Sequence, residues 1–192
     1  MLAVAPPVAI TAPSTPAEVR KAAAVLWSGG TSYRLTDPAS GGSALLVVAS
    51  FGGRTRLLLR TSQIVIWLGG IESQTNPTFV CVQVPPGKPS CNPPKTTRTT
   101  AQQAILEATR PLIEYGKLIA PKSLTGAKVL VTNEVGYPVG CLQGHSTAGF
   151  GAVRLCTTRD GLLTEVSYKG VRVQALSVKP EVTPSDLARP AG

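Results

Sequence analysis

The sequence predicts an α+β fold: an antiparallel sheet built from consecutive hairpins, with two helices laid against it. Three observations lead there. From Cys141 to Val178, short runs rich in Val, Leu, Thr and Tyr alternate with a glycine-rich turn, an Asp160-Gly161 turn and a Lys169-Gly170 turn. That is the pattern of an antiparallel meander. Between Tyr33 and Val84, further strand-length runs follow one another at hairpin spacing. Two segments break this rhythm with helical periodicity, one after Thr15 and one from Thr99 to Ala120.

The elements follow in order. Thr15-Pro16-Ala17-Glu18 is a capping box with proline at the first helical position. Val19, Ala22, Ala23 and Leu26 then recur at helical spacing, and Gly29-Gly30 is expected to end the helix. Strands are expected at Tyr33–Asp37, Ala44–Phe51, Arg54–Thr61, Gln63–Leu68 and Thr78–Val84. The proline-rich run Pro85 to Pro94 is expected to be a stiff loop without regular structure. In the second helical region Ala101, Ala104, Ile105, Ala108, Leu112, Tyr115 and Ile119 fall near one face. Pro111 should interrupt that region, as a kink or as two helices in series. Lys128–Thr132 starts the last section of sheet, and Pro180–Gly192 reads as a tail.

Length and composition suit one domain over residues 15–190, preceded by a disordered Pro/Ala-rich linker at 1–14. The net charge of +9 favours anionic partners, lipid head groups among them. The cations look scattered, however: Arg54, Arg56 and Arg60 alternate along one strand, and Lys88, Lys95 and Arg98 lie in a loop. No apolar run reaches the length of a membrane span. The first residues lack a basic n-region and a full hydrophobic core, so they read as a linker left after removal of a targeting segment.

The four cysteines, Cys81, Cys91, Cys141 and Cys156, form no C-x-x-C, and His145 is the only histidine. A metal site is therefore not expected. An even count at hairpin-like separations fits two local disulfides. Of three possible pairings, Cys81–Cys91 and Cys141–Cys156 is the natural one, because each closes a single local excursion. Disulfides place the protein in an oxidising compartment, secreted or attached to the cell envelope.

Catalytic patterns are missing. Ser146 follows His145 but has no G-x-S-x-G setting. The glycines around His145 fit no phosphate-loop pattern. Glu134, Asp160 and Glu165 have no spacing that pairs them for acid–base work, and Asp160 reads as a turn residue. Aromatics make up 5% of the chain, too few to interleave with basic residues for nucleic-acid binding. The expectation is a non-catalytic monomer with no cofactor, no metal and no nucleic-acid partner. Tyr33, Phe51, Trp67, Phe79 and Tyr115 read as core, with some of them lining an apolar pocket as the sharper alternative.

Several strands, Ala44–Phe51 above all, are apolar on both faces, whereas a sheet with one wet face alternates cleanly. Two helices can cover one face or plug a curved sheet. The remainder needs either a second layer or an apolar ligand. Candidate ligand-lining residues are Leu46, Val48, Leu57, Leu59, Ile64, Ile66, Val80, Val82, Ile105 and Leu112.

The meander carries a family resemblance. Cys141, Cys156, Asp160-Gly161-Leu162-Leu163, the run Val171–Val178 and the closing Pro184-Ser185-Asp186-Leu187 with Pro190 resemble exported actinobacterial lipoproteins. So do Cys81 and Cys91 in a proline-rich loop and the opening helix followed by Tyr33-Arg34-Leu35-Thr36. These proteins resemble the LolA/LppX-like superfamily. The resemblance implies a half-barrel: a curved antiparallel sheet whose concave apolar face is covered by helices and can hold acyl chains. It also implies a lipid or other hydrophobic small molecule as partner, while the basic surface would favour an anionic membrane surface. The alternative it allows is an extracytoplasmic sensor or protein-interaction domain with a filled core. No lipobox cysteine is present in this sequence.

Overall fold

The computed structural model describes residues 11–25, 27–37, 42–72, 78–92 and 99–191, with the backbone alone at 37 and 70–72. Residues 1–10 of the expected 1–14 linker, and Leu26, Lys95 and Arg98, lie outside the described residues. Among those described, eleven strands form one antiparallel sheet in the order β6-β5-β4-β3-β2-β1-β11-β10-β9-β8-β7. The strands are β1 (Gly29–Asp37), β2 (Gly42–Phe51), β3 (Arg54–Arg60), β4 (Val65–Glu72), β5 (Phe79–Gln83), β6 (Ser90–Asn92), β7 (Leu124–Glu134), β8 (Tyr137–Ser146), β9 (Ala152–Thr157), β10 (Leu163–Tyr168) and β11 (Val171–Lys179). Two helices, α1 (Pro16–Ala23) and α2 (Thr100–Ile119), pack on one face, here the inner face. The order runs open from β6 to β7, so the curved sheet is a half-barrel rather than a closed one.

The chain forms two ladders of nearest neighbours, β1 to β6 and β7 to β11, and the pairing of β1 with β11 joins them. Register then carries side chains in rows across the sheet. One inner row runs Val129, Leu142, Leu155, Val166, Val173, Leu35, Ala44. α1 and the C-terminal half of α2 cover one end of this face: Val19, Ala23, Leu118 and Ile119 pack on Leu142, Leu155 and Val166. The N-terminal half of α2 covers the other end, where Ile105 and Ala108 meet Leu57, Leu59, Ile66 and Leu68. The helices are pinned to each other as well: Tyr115 Oη donates to the Ala23 carbonyl, and Arg20 Nε donates to the Ile119 carbonyl.

Both disulfides form as expected. Cys81 opposes Cys91 across β5 and β6, and Cys141 opposes Cys156 across β8 and β9, each pair with Cα atoms 4.0 Å apart. That distance belongs to non-hydrogen-bonded cross-strand positions.

Several expected boundaries need correction. The first helix forms its capping box at Thr15 and Glu18 but ends at Ala23. Gly29 and Gly30 open β1 instead of capping the helix. Gly29 is small because the Trp27 indole lies 2.6 Å from where a Cβ would stand. The run Pro85 to Pro94 is not wholly irregular, for Ser90–Asn92 pairs with β5 as β6. Its three non-proline residues have free amides, and the Cys91 bridge holds them in register. α2 is uninterrupted through Pro111. Pro111 offers no amide to the Glu107 carbonyl, and Glu107 lies on the exposed side of the helix. β4 starts at Val65, two residues later than expected, because the Thr61 hydroxyl accepts from the amides of Gln63 and Ile64 and makes a turn of them. β7 starts at Leu124, four residues earlier than expected. A bulge between Thr125 and Lys128, with Gly126 at φ 62°, hides the two-residue period there.

The C-terminal residues are more than a tail. Val182 is buried, and a 3-10 turn at Pro184–Leu187 packs on β2 and β3. Arg56 Nη1 donates to the Ala188 carbonyl at 3.0 Å, and Arg189 Nη2 donates to the Cys91 carbonyl at 3.2 Å. This strap crosses the outer face, beside a cluster of Leu58, Val65, Trp67, Phe79 and the Cys81–Cys91 bridge. At the other end of the chain Pro13 is buried, with its carbonyl against Gly140.

Candidate functional site

The ten nominated lining residues come together on the inner face. Leu46, Leu59, Ile66 and Val82 form one row across β2 to β5. Val48, Leu57 and Val80 form the next, with Leu68, which was not nominated, between the last two. Ile64 packs against the same cluster from the turn before β4. Ile105 and Leu112 approach from α2. Alternation along each strand produces this: once one strand's inner parity is fixed, register fixes the rest.

Their burial divides them. Leu46, Leu57, Leu59, Ile66, Val80 and Ile105 are buried, packed on one another and on Tyr33, Leu68 and Ala108. Val48, Ile64, Val82 and Leu112 are only half-buried. Six of the ten therefore belong to a packed core, and four keep part of their apolar surface uncovered.

One column of the inner face is polar. Trp27 folds over Gly29, and Thr31 and Tyr33 follow at alternate positions of β1. Tyr33 Oη donates to the Leu163 carbonyl at 3.0 Å. Burial pushes its phenol up to about 12, partly offset by the Thr31 hydroxyl, so it stays a neutral donor at any physiological pH. Trp27 Nε1 and Thr31 Oγ1 are buried with no hydrogen-bond partner in the described structure.

The nominated aromatic set splits between the faces. Tyr33 and Tyr115 lie inside, Trp67 and Phe79 pack with the Cys81–Cys91 bridge on the outer face, and Phe51 is exposed.

On the outer face the register gathers charges that look scattered in sequence. Glu165 accepts from Arg154 Nε at 3.2 Å and from Arg172 Nε at 3.0 Å, and Arg154 Nη2 also reaches Glu134 at 3.3 Å. Thr164 Oγ1 donates to the other Glu134 oxygen at 2.6 Å. The sequence reading set Glu134 and Glu165 apart, yet Arg154 bridges them. Both carboxylates are engaged in ion pairs with Arg154. Glu134 also lies within 4.8 Å of Cys141 and Cys156, but both sulfurs are committed to their bridge and offer no thiolate to a metal. Beside this network a depression of about 440 Å³ is lined by Lys128, Gln143, His145, Arg154 and Ser167. His145 is exposed, while the Ser146 hydroxyl accepts from the Ala148 amide. Asp160 accepts from Thr158 in the turn before Leu162.

No family model matches the sequence, and no curated protein matches it. The arrangement therefore stands on its own geometry: an open, helix-covered sheet with an apolar inner face and a basic outer one. Sequence reasoning found the inner rows and missed the outer ones. Lys128, Gln143, Arg154, Ser167 and Arg172 form a single cross-strand row over five strands. No local pattern announces it, because the five come from five separate runs. Trp27 was missed too. Its one signal is the small residue at Gly29, which the sequence reading spent on a helix end.

Proposed function

We propose that the protein is an extracytoplasmic, non-catalytic binder of a lipid or another hydrophobic molecule, held against the inner face beneath α2. The observation that carries this reading is the partial exposure of Val48, Ile64, Val82 and Leu112 on a face otherwise closed by apolar packing. A filled core would cover them, whereas an acyl chain laid over this part of the inner face would do so at about 25 cal/mol per Å². The two disulfides support the compartment, since such bridges persist in oxidising surroundings. The net charge of +9 supports an anionic membrane surface as the place of exchange.

The experiment is native mass spectrometry after mild purification, followed by titration of the delipidated protein with the apolar fluorophore N-phenyl-1-naphthylamine. Co-purified lipid or saturable uptake is expected, and Val48→Trp should weaken uptake by filling the space. A folded protein that carries no lipid and takes up no fluorophore overturns the reading.

One observation favours the second reading, an interaction domain with a filled core. Leu46 and Ile105 are both 0% exposed at the centre of the face, so the middle is already closed by the protein's own side chains. Under that reading Val48→Trp would destabilise by overpacking without changing uptake.

A further inference from the structure

We propose that β7 is an association edge, at which two copies of this chain pair antiparallel about a twofold axis through Val131. The proposal stands apart from the ligand reading above. β7 (Leu124–Glu134) ends the sheet order and bonds only to β8, so its other side is an open edge among the described residues. Leu130 and Val131 point to opposite faces, yet each is 53% exposed, as befits a strand with a neighbour on one side only. The phase of the free backbone groups follows from the disulfide. Cys141 and Cys156 oppose each other at a non-hydrogen-bonded position, so the Cys141 amide and carbonyl turn toward β7 and meet Leu130. Lys128 and Thr132 share the phase of Leu130. Val129, Val131 and Asn133 therefore turn their amides and carbonyls outward, with no strand among the described residues to receive them. A depression of about 530 Å³ lined by Thr11, Ala12, Val131 and Asn133 lies beside them, so the edge is open to a partner.

A second copy fits this edge by its own sequence. With Val131 opposite its twin, Val129 meets Asn133, and the outward-turned residues of the two strands form about six backbone hydrogen bonds. On the outer face Leu130 then meets Thr132, and Lys128 meets Glu134. Opposite charges thus face each other twice, at the closely spaced non-hydrogen-bonded positions. Lys128 is exposed and has no partner among the described residues. Glu134 holds Arg154 and Thr164 and still has lone pairs to offer. A lysine on an edge strand ordinarily deters pairing. Glu134 is the only acid on β7, so this register alone sets that lysine against a carboxylate. The paired run, 128–134, ends where the bulge between Thr125 and Lys128 begins. The opposite edge of the sheet is closed to the same use, for β6 has three residues and Arg189 Nη2 donates to its Cys91 carbonyl at 3.2 Å. Pairing of β7 with β6 would extend into a filament, whereas pairing of β7 with itself closes as a dimer. Residues opposite each other share a face, so both helix-covered faces would look to the same side.

The test follows the full chain by sedimentation velocity from micromolar to sub-millimolar concentration. A concentration-dependent step to twice the monomer mass is expected, with the amides of Val129, Val131 and Asn133 slowing in hydrogen exchange over the same range. Zero-length carbodiimide coupling should then join Lys128 of one copy to Glu134 of the other. Within one chain these two lie about 20 Å apart along β7, so that link reports only the dimer. Val131→Lys sets two ammoniums on the axis and should raise the dissociation constant by about 10-fold or more. Val131→Pro deletes an outward amide that β8 does not use, and it should do the same. Circular dichroism checks that each variant keeps the fold. Should Val131→Pro fail to fold, Val131→Lys, at the same exposed position, decides alone. A monomer at every concentration whose three amides exchange freely overturns the proposal. So does a monomer whose three amides are protected, which would place the residues before Thr11 on the edge. A dimer that Val131→Lys leaves intact overturns it too, because such a dimer associates elsewhere.

Discussion

Arg154 Nε lies 3.2 Å from Glu165 Oε2, and the Glu165 side chain is only 4% exposed. Two guanidiniums, those of Arg154 and Arg172, close on this buried carboxylate from the two adjacent strands. Glu165→Gln should therefore destabilise the fold by about 1–3 kcal/mol. The range sits below that of a fully buried pair, because the Arg172 side chain is 48% exposed and water can serve it once the carboxylate is gone. Urea unfolding followed by circular dichroism measures this, and an unchanged midpoint would show that the pairs contribute nothing.

The disulfides give a second prediction. The bridges close loops with sequence separations of 10 and 15. Replacing either pair by serines should cost about 3 kcal/mol in the chain-entropy account. The consequences should differ in place. Loss of Cys81–Cys91 should free β6, which has three residues and pairs only with β5. Loss of Cys141–Cys156 should lower global stability, because that pair is buried between two long strands. Hydrogen exchange would separate local from global opening.

Core truncations test the division among the inner-face residues. Leu46 is 0% exposed and packs on Tyr33 and Val173, so Leu46→Ala should cost about 2–5 kcal/mol. Val82 is half-buried, and Val82→Ala should cost roughly 1 kcal/mol or less. If the inner face holds ligand, Val82→Ala should alter uptake of the apolar fluorophore more than it alters stability. Equal costs for the two truncations would mean that Val82 is as fully packed as Leu46.

The C-terminal strap should respond to acid. Asp186 accepts from Lys179 Nζ at 2.6 Å and from the Thr183 amide at 2.8 Å, and these hold its carboxyl well below the usual range. A carboxyl depressed in the folded state stabilises at every pH above its unfolded pKa of about 3.9, and that contribution is lost as pH falls further. The strap should hold at neutral pH and loosen below about pH 4. Asp186→Asn should loosen it at all pH values. Limited proteolysis of the segment after Lys179 reads both effects, and a cleavage rate indifferent to the substitution would count against them.

The sequence determined the local elements and which strands could be neighbours. The capping boxes at Thr15 and Thr99, the hairpin turns and the spacing of the four cysteines each depend on residues close together in the chain. It also determined the inner face of β2 to β5, because strict alternation makes Leu46, Leu59 and Ile66 share a side once they pair. Where a residue departs from alternation, as at Gly126 or in the turn at Ile64, the boundary was lost. Tertiary structure alone decided that β1 pairs with β11, an event joining positions more than a hundred residues apart. The meeting of Glu134, Arg154, Glu165 and Arg172 is set by the stacked hairpin registers of β7 to β11, which no single short stretch of sequence displays. The physical reason is range: turns and caps are settled by a few adjacent dihedrals, whereas ion pairs across several strands exist only after separate segments have been brought into register.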